Sequence, residues 1–277
     1  MPELAEVAFY AKRWRLAAQQ QQIVAVQVHA PARVFRSRRT ATALARALPG
    51  TTLLAVETAA KQMAFRFSGD RWLGVHLGMS GELRVAPADQ APSRHDHLVL
   101  RTATHALVFS DPRMFGRIDF ATGPTAPDWW RGLAPPLLSR AFTVAAVGEF
   151  LRRHARAPLK AVLLRQERFP GIGNWMADEI LWRAALHPRR PAGSLRPAEV
   201  RTLWRACRRV ARMALATIAG PGDTLPPDLN VHIPPTWLFL HRWTDGGRCP
   251  RTGAALVRET IGGRTSCWSP ARQQLRP

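Results

Sequence analysis

The feature that most constrains this fold is a switch of hydrophobic period part-way along the chain. From Ile23 to about Phe120, short apolar runs rich in β-branched and aromatic residues recur: IVAVQVHA, TLLAVETA, MAFRF, WLGVHLGM, HLVLRTA and ALVFSD. Their length and composition are those of strands. One helical stretch, ATALARALP, interrupts them. After the linker TGPTAP the apolar residues fall at helical spacing instead, in TVAAVGEFLRRHA, LKAVLLRQE, NWMADEILWRAAL and AEVRTLWRACRRVARMALATIA. A Pro/Gly-rich stretch, GPGDTLPPDLNVHIPP, precedes a last unit in which RETIGGRTSCW reads as a hairpin about a Gly-Gly turn. Pro2 to about Gln20 has helical period, with Leu4, Val7, Ala8 and Ala11 on one side. The expected class is α+β and multidomain. An N-terminal helix and β-sandwich occupy 1–122, a helical domain 138–220 and a hairpin module 236–277.

Charge narrows the partner. The 277 residues carry a formal net charge of +21, spread along the whole chain. That excess favours a polyanion, first of all nucleic acid, where phosphate neutralisation supplies most of the non-specific affinity. Of the 40 Lys and Arg residues only Lys12, Lys61 and Lys160 are lysine. Lysine gives up a proton more readily than arginine, so Lys61 and Lys160 are candidates for chemistry. No apolar run reaches the ~18 residues of a membrane span, so no membrane partner is expected. The expected setting is intracellular, in cytoplasm or nucleoid. Cys207, Cys249 and Cys267 are too few and too scattered for a disulfide framework.

Three constellations carry chemistry. The chain opens MPELAEV. Proline suits the first turn of a helix, and Glu3 and Glu6 complement its dipole. Once Met1 is trimmed, however, Pro2 is also a free secondary amine able to attack a sugar carbon. The second is PGIGNWMADEILWRAALHP, a glycine turn into a helix opened by Asn174, the kind of unit that holds a nucleic-acid backbone. The third comprises HLGMSGELRV and HDHLVLRTATHALVFSDPRMFGRIDF. Met79, Arg113 and Phe115 near strand ends could unstack bases or fill a vacancy in a duplex; without context, Met79 and Phe115 would more often be core residues. His95 and His97 have no third ligand at metal spacing. Arg264, just past Gly262-Gly263, suits a phosphate contact.

The ordered set MPELAEV, AAKQMAFRF, HLGMSGELRV, HDHLVL, DPRMFG, LKAVLL, GIGNWMADEILWRAALHP and GGRTSCW resembles the formamidopyrimidine-DNA glycosylase/endonuclease VIII family over almost the whole chain. The resemblance implies a two-layered β-sandwich with an N-terminal helix, a helix–two-turn–helix domain and a β-hairpin finger. It implies Pro2 as nucleophile on C1′ of a flipped, damaged nucleotide and Glu3 as acid/base. Lys61 then acts as a proton donor in β-elimination, and Arg264 as the finger arginine that assists δ-elimination. His76, His95, Lys160 and Asn174 match positions at or near the DNA backbone, and Met79, Arg113 and Phe115 match the void-filling set. Glu6 is expected to hold the helix end rather than to react. The implied partner is damaged double-stranded DNA, bound by a monomer.

Two departures bear on this reading. Many members carry four cysteines on one zinc in the finger; here Cys249 remains, while Thr252, Ser269 and Arg272 stand where the other ligands would be. Cys267 is out of register by two residues. No cofactor is expected, and the finger is expected to be zincless, held by packing of residues such as Trp243 and Trp268. The other departure is Met114 of DPRMFG, where a second arginine is common. The Met79, Arg113, Phe115 trio favours oxidised purines such as 8-oxoguanine and formamidopyrimidines. An endonuclease VIII-like enzyme for oxidised pyrimidines or hydantoins is the alternative, and a non-catalytic damage-binding protein is the rival of another class.

Overall fold

The computed structural model describes residues 2–29 and 33–275. The chain divides into two compact units: residues 1–133 with 219–225, and 134–218 with 226–277.

The first unit is built around helix α1, Leu4–Ala18. Ala5, Val7, Phe9, Tyr10, Ala11, Trp14 and Ala18 are all buried on it, a wider surface than the single stripe the sequence suggests. The reason is that α1 packs against two sheets. One, in the order β1-β6-β7-β5, comprises Ala25–Val28, Asp96–Arg101, His105–Ser110 and Glu82–Pro87. The other, in the order β2-β3-β4-β8, comprises Leu53–Ala59, Gln62–Phe67, Arg71–His76 and Arg117–Thr122. Every pairing is antiparallel. Trp14 serves both layers: its indole N–H donates to the Arg84 carbonyl of β5 at 2.9 Å, and its ring lies 5.1 Å from that of Phe65 on β3.

Helix α2, Arg38–Ala47, matches the helical stretch read between the first strands, and Ser37 caps it by accepting from the Thr40 N–H. Strands β5 and β8 are absent from the six apolar runs. Both lie at sheet edges, where charged residues such as Glu82, Arg84, Arg117 and Asp119 interrupt the apolar pattern; an edge strand accepts them. A short helix α3, Asp128–Arg131, follows in the linker.

The second unit contains α4 (Val144–Arg153), α5 (Leu159–Leu163), α6 (Asn174–Ala184) and α7 (Pro197–Ala214). The last runs into a π-helical turn, Leu215–Ala219. The hairpin strands are β9, Val257–Ile261, and β10, Arg264–Trp268. Helical region and hairpin form one compact unit rather than two, because α6 packs directly on β10. Trp182 of α6 shares a buried cluster with Leu238, Cys249, Leu256 and Cys267.

Trp14 fixes the angle of α1, so its replacement tests this architecture. Trp14→Phe removes buried volume and the bond to Arg84, and is expected to cost about 1–3 kcal/mol, read as a lowered urea midpoint with an unchanged m-value.

Candidate active site and nucleic-acid interface

Pro2 is half-buried and immediately precedes α1, with Glu3 buried at the N-cap. Glu6 accepts from the Glu3 backbone N–H at 3.2 Å, the end-holding role anticipated for it. Met1, whose removal would free the Pro2 amine, lies outside the described residues.

One end of the β2-β3-β4-β8 sheet gathers basic groups. Lys61 sits in the two-residue turn joining β2 to β3 and is almost fully buried; Ala60 beside it adopts a φ of 55°. The sheet register pairs Gln62 with His76 and His76 with Arg117. Burial first, and then the charges of Arg117 and Lys61, hold the His76 imidazole below its ordinary pKa. Its Nδ1 accepts from the Gly78 N–H at 3.0 Å, leaving Nε2–H as a donor for an anion. Arg117, which sequence reasoning passed over, is paired with Asp119 at 2.8 Å.

The expected wedge residues are at the surface. Met79 is 42% exposed and Phe115 55%, so neither is a core side chain. The Arg113 guanidinium lies 4.7 Å from the Phe115 ring centroid. Asp111, fully buried and also missed, ties the two loops together. One of its carboxylate oxygens accepts from the Ser80 hydroxyl at 2.6 Å and the Arg113 N–H at 3.3 Å. The other accepts from the Gly116 N–H at 2.7 Å. The loops also meet at Gly78, where a Cβ would fall 2.3 Å from the Phe115 carbonyl carbon. His95 supports this junction through its backbone, its carbonyl accepting from the Asp111 N–H at 3.0 Å. His97 is buried, with Nε2 2.9 Å from the Asp111 carbonyl oxygen. Among the described residues, no cluster of His, Cys, Asp and Glu could hold a metal ion.

In the second unit, Gln166 organises the turn between α5 and α6. Its amide nitrogen donates to the Leu164 and Ile172 carbonyls, each at 2.9 Å, and its oxygen accepts from the Gly171 N–H at 3.0 Å. Asn174 then opens α6 and donates to the Thr265 carbonyl at 2.9 Å. Arg264 is exposed as the first residue of β10, after a Gly262-Gly263 turn whose φ values are 59° and 75°. A Cβ on Gly262 would meet that of Ala161 at 2.7 Å, so the hairpin tip rests on α5. The second unit therefore brings Asn174 and Arg264 to one place.

Lys160 departs from the expected backbone-contacting position. It is fully buried, its Nζ 2.5 Å from Asp178 Oδ1 and 2.7 Å from the Asn174 carbonyl. Its charge is matched inside the protein, where it supports the turn that presents Asn174. Asp178 also accepts from Arg242 and from the Cys267 N–H at 3.0 Å. One buried carboxylate thereby links α5, α6, the segment ahead of the hairpin strands and β10.

Residues 1–118 match the formamidopyrimidine-DNA glycosylase N-terminal domain, and residues 133–222 match its H2TH domain. The chain belongs to the formamidopyrimidine-DNA glycosylase family. It is 40% identical to the formamidopyrimidine-DNA glycosylase of Roseiflexus sp. (strain RS-1), over 78% of this chain and 79% of that protein. It is 35% identical to the formamidopyrimidine-DNA glycosylase of Thermus thermophilus, over 99% of this chain and 98% of that protein. Its fold resembles that of Lactococcus lactis Fpg solved with DNA containing an abasic site. There the TM-score is 0.85 at 25% identity, covering 98% of this chain and 99% of that one.

In this formamidopyrimidine-DNA glycosylase family member a third tryptophan joins the two expected in the finger. Trp243 is 53% exposed and lies edge-on to Phe239, ring centroids 5.1 Å apart. Trp268 does pack, its ring centroid 4.2 Å from that of His187 and its N–H donating to Glu259. Trp182 is the centre: its indole N–H points at Cys249 Sγ, 3.4 Å away, and the guanidinium carbons of Arg251 and Arg272 lie 5.1 and 5.3 Å from its ring. Burial alone would raise the Cys249 pKa, but donors around it, Thr252 and Trp182 foremost, bring it down to about 6. One thiol, two hydroxyls and a guanidinium do not form a tetrahedral zinc set.

Asp178→Ala would remove the buried carboxylate that neutralises the charges of Lys160 and Arg242. It is expected to destabilise the protein by about 3–5 kcal/mol, measured by chemical denaturation.

Proposed function

We propose that this protein is a DNA glycosylase with AP lyase activity that removes oxidised purines in base excision repair, with Pro2 as its nucleophile. The observation that carries the reading is the start of α1. Pro2 stands just outside the helix, followed by a buried Glu3, within the stretch that matches the family's N-terminal domain.

The chemistry follows from these residue types. With the lesion flipped out of the stack, the Pro2 nitrogen forms a bond to C1′ as the glycosidic bond breaks, and the base departs with that electron pair and a proton. The nitrogen loses its own proton. Glu3 protonates the ring oxygen as its bond to C1′ breaks, leaving a cationic iminium. That iminium is an electron sink: loss of a C2′ proton expels the 3′ phosphate, and a second elimination expels the 5′ phosphate. Lys61 supplies a proton and positive charge near the cleaved phosphate, beside the neutral His76. Arg264 holds phosphate from the hairpin, next to Asn174. His95 lies at the base of the wedge loops near the DNA backbone. Met79 and Phe115 occupy the space left by the flipped base, and Arg113, stacked on Phe115, offers donors to the orphaned partner base.

Borohydride trapping on abasic-site duplex DNA tests the nucleophile. The wild-type protein is expected to give a reducible crosslink, and Pro2→Gly to reduce it at least ~100-fold while electrostatic DNA binding survives; unchanged trapping would sink the assignment. We further propose that the finger works without zinc, which the donor set around Cys249 supports. Elemental analysis of purified protein is expected to find well under one zinc per chain, and stoichiometric zinc would overturn this.

A further inference from the structure

A groove within the second unit has no part in the chemistry proposed above. Helix α4, the short 3-10 turn Ala192–Ser194 and the first turns of α7 enclose a cavity of about 430 Å³. Val144, Leu151, Leu195 and Val200 give it an apolar lining, together with Gly148. Arg152 and Arg201 also line it, and both are exposed, which puts two cations at its rim. Glycine is the poorest helix former after proline, yet Gly148 lies inside α4 without a positive φ. A Cβ there would meet Val200 Cγ1 at 3.5 Å and an Arg152 guanidinium nitrogen at 3.8 Å, ordinary contact distances. Gly193 in the 3-10 turn differs, since a Cβ on it would fall 2.5 Å from that of Ala155. Packing therefore accounts for Gly193, whereas the missing side chain at Gly148 keeps the cavity open.

The rim has no negative charge to spare. On α4, Glu149 pairs with Arg153. On α7, Glu199 is taken up by Arg190 and Arg196. Among the described residues, the ion pairs of both helices leave Arg152 and Arg201 without a carboxylate. Helix α7 carries the cations onward, with Arg205 and Arg209 exposed at four-residue steps from Arg201. Like charges at that spacing disfavour a helix unless an anionic partner lies along it. Both helices also begin at the groove, and helix N-termini favour anions.

We propose that this groove docks an acidic segment of a partner protein, with an apolar side chain in the cavity and flanking carboxylates on Arg152, Arg201 and Arg205. An apolar anchor in a desolvated pocket, ringed by polar contacts, is how interfaces concentrate their affinity. A phosphodiester strand would match the arginines but leave the apolar cavity without an occupant. The groove contains none of the residues proposed to meet DNA or to react, so a docked partner and a DNA substrate use separate side chains.

Fluorescence anisotropy tests this with a fluorescein-labelled peptide that carries a Leu-Phe pair between runs of aspartate. One control peptide replaces the pair by Ser-Ser, a second replaces the aspartates by asparagine, and labelled oligothymidylate reports on nucleic acid. The parent peptide is expected to bind the wild-type chain with a Kd of about 10–100 µM, and each control peptide about tenfold more weakly. Gly148→Leu fills the cavity, and is expected to weaken the parent peptide about tenfold while oligothymidylate binding stays within about twofold. Arg152→Glu combined with Arg201→Glu alters exposed side chains alone, which guards against misfolding, and is expected to abolish peptide binding. A parent peptide that fails to bind at about 1 mM, or binds no better than either control, overturns the proposal. So does binding that the double glutamate variant leaves unchanged. An equal loss of peptide and oligothymidylate in Gly148→Leu also overturns it, because the face would then be a nucleic-acid surface.

Discussion

The first unit depends on one helix being held between two layers. A surface helix needs a single apolar stripe, yet α1 buries residues around most of its circumference, and Trp14 bonds to one sheet while packing on the other. That double anchorage removes the freedom of α1 to tilt or slide. Pro2 and Glu3 at its N-terminus inherit that rigidity. A nucleophile must be aimed within a fraction of an ångström to benefit from proximity, and a terminus attached to a loop could not be.

The second unit has its own fixed point in Asp178. Three segments each send a donor to this carboxylate: Lys160 from α5, Arg242 from ahead of the hairpin strands and the Cys267 amide from β10. A buried charge with several partners is costly to break, so the groups around it are held as a set. Arg264 is exposed beside this core, and Asn174 is half-buried next to it, its amide held by the Thr265 carbonyl. The Trp182 cluster adds an apolar floor beneath the finger. The arginines over its indole, with the thiol that its N–H reaches, provide cross-links between α6 and the finger.

In both units the residues proposed to meet DNA are carried by buried polar residues behind them. Asp111 joins the Met79 loop to the Arg113–Phe115 loop, so that two wedges from separate parts of the chain move as one. Gln166 shapes the turn that precedes Asn174. Lys160 belongs with these supports rather than with the contacting groups, because its ammonium is enclosed by the Asp178 carboxylate and the Asn174 carbonyl.

The sequence by itself determined the order of the elements, the family and the identity of the proposed contacting residues. Period and turn chemistry are local, and the motifs keep their spacing along the chain. It missed strands β5 and β8 because edge strands admit charges that blur the apolar pattern. It underestimated the buried surface of α1 because one stripe gives no sign of a second sheet. Whether a lysine reaches phosphate or is enclosed by a carboxylate 18 residues away is invisible to local pattern, and so are the roles of Asp111, Gln166, Asp178 and Trp182. Only the tertiary structure decided these, since the hydrogen bonds of a buried polar group depend on which distant segments pack against it. Lys12 is the clearest case: composition marked it as unusual, but its three carbonyl partners lie more than 200 residues away in the chain.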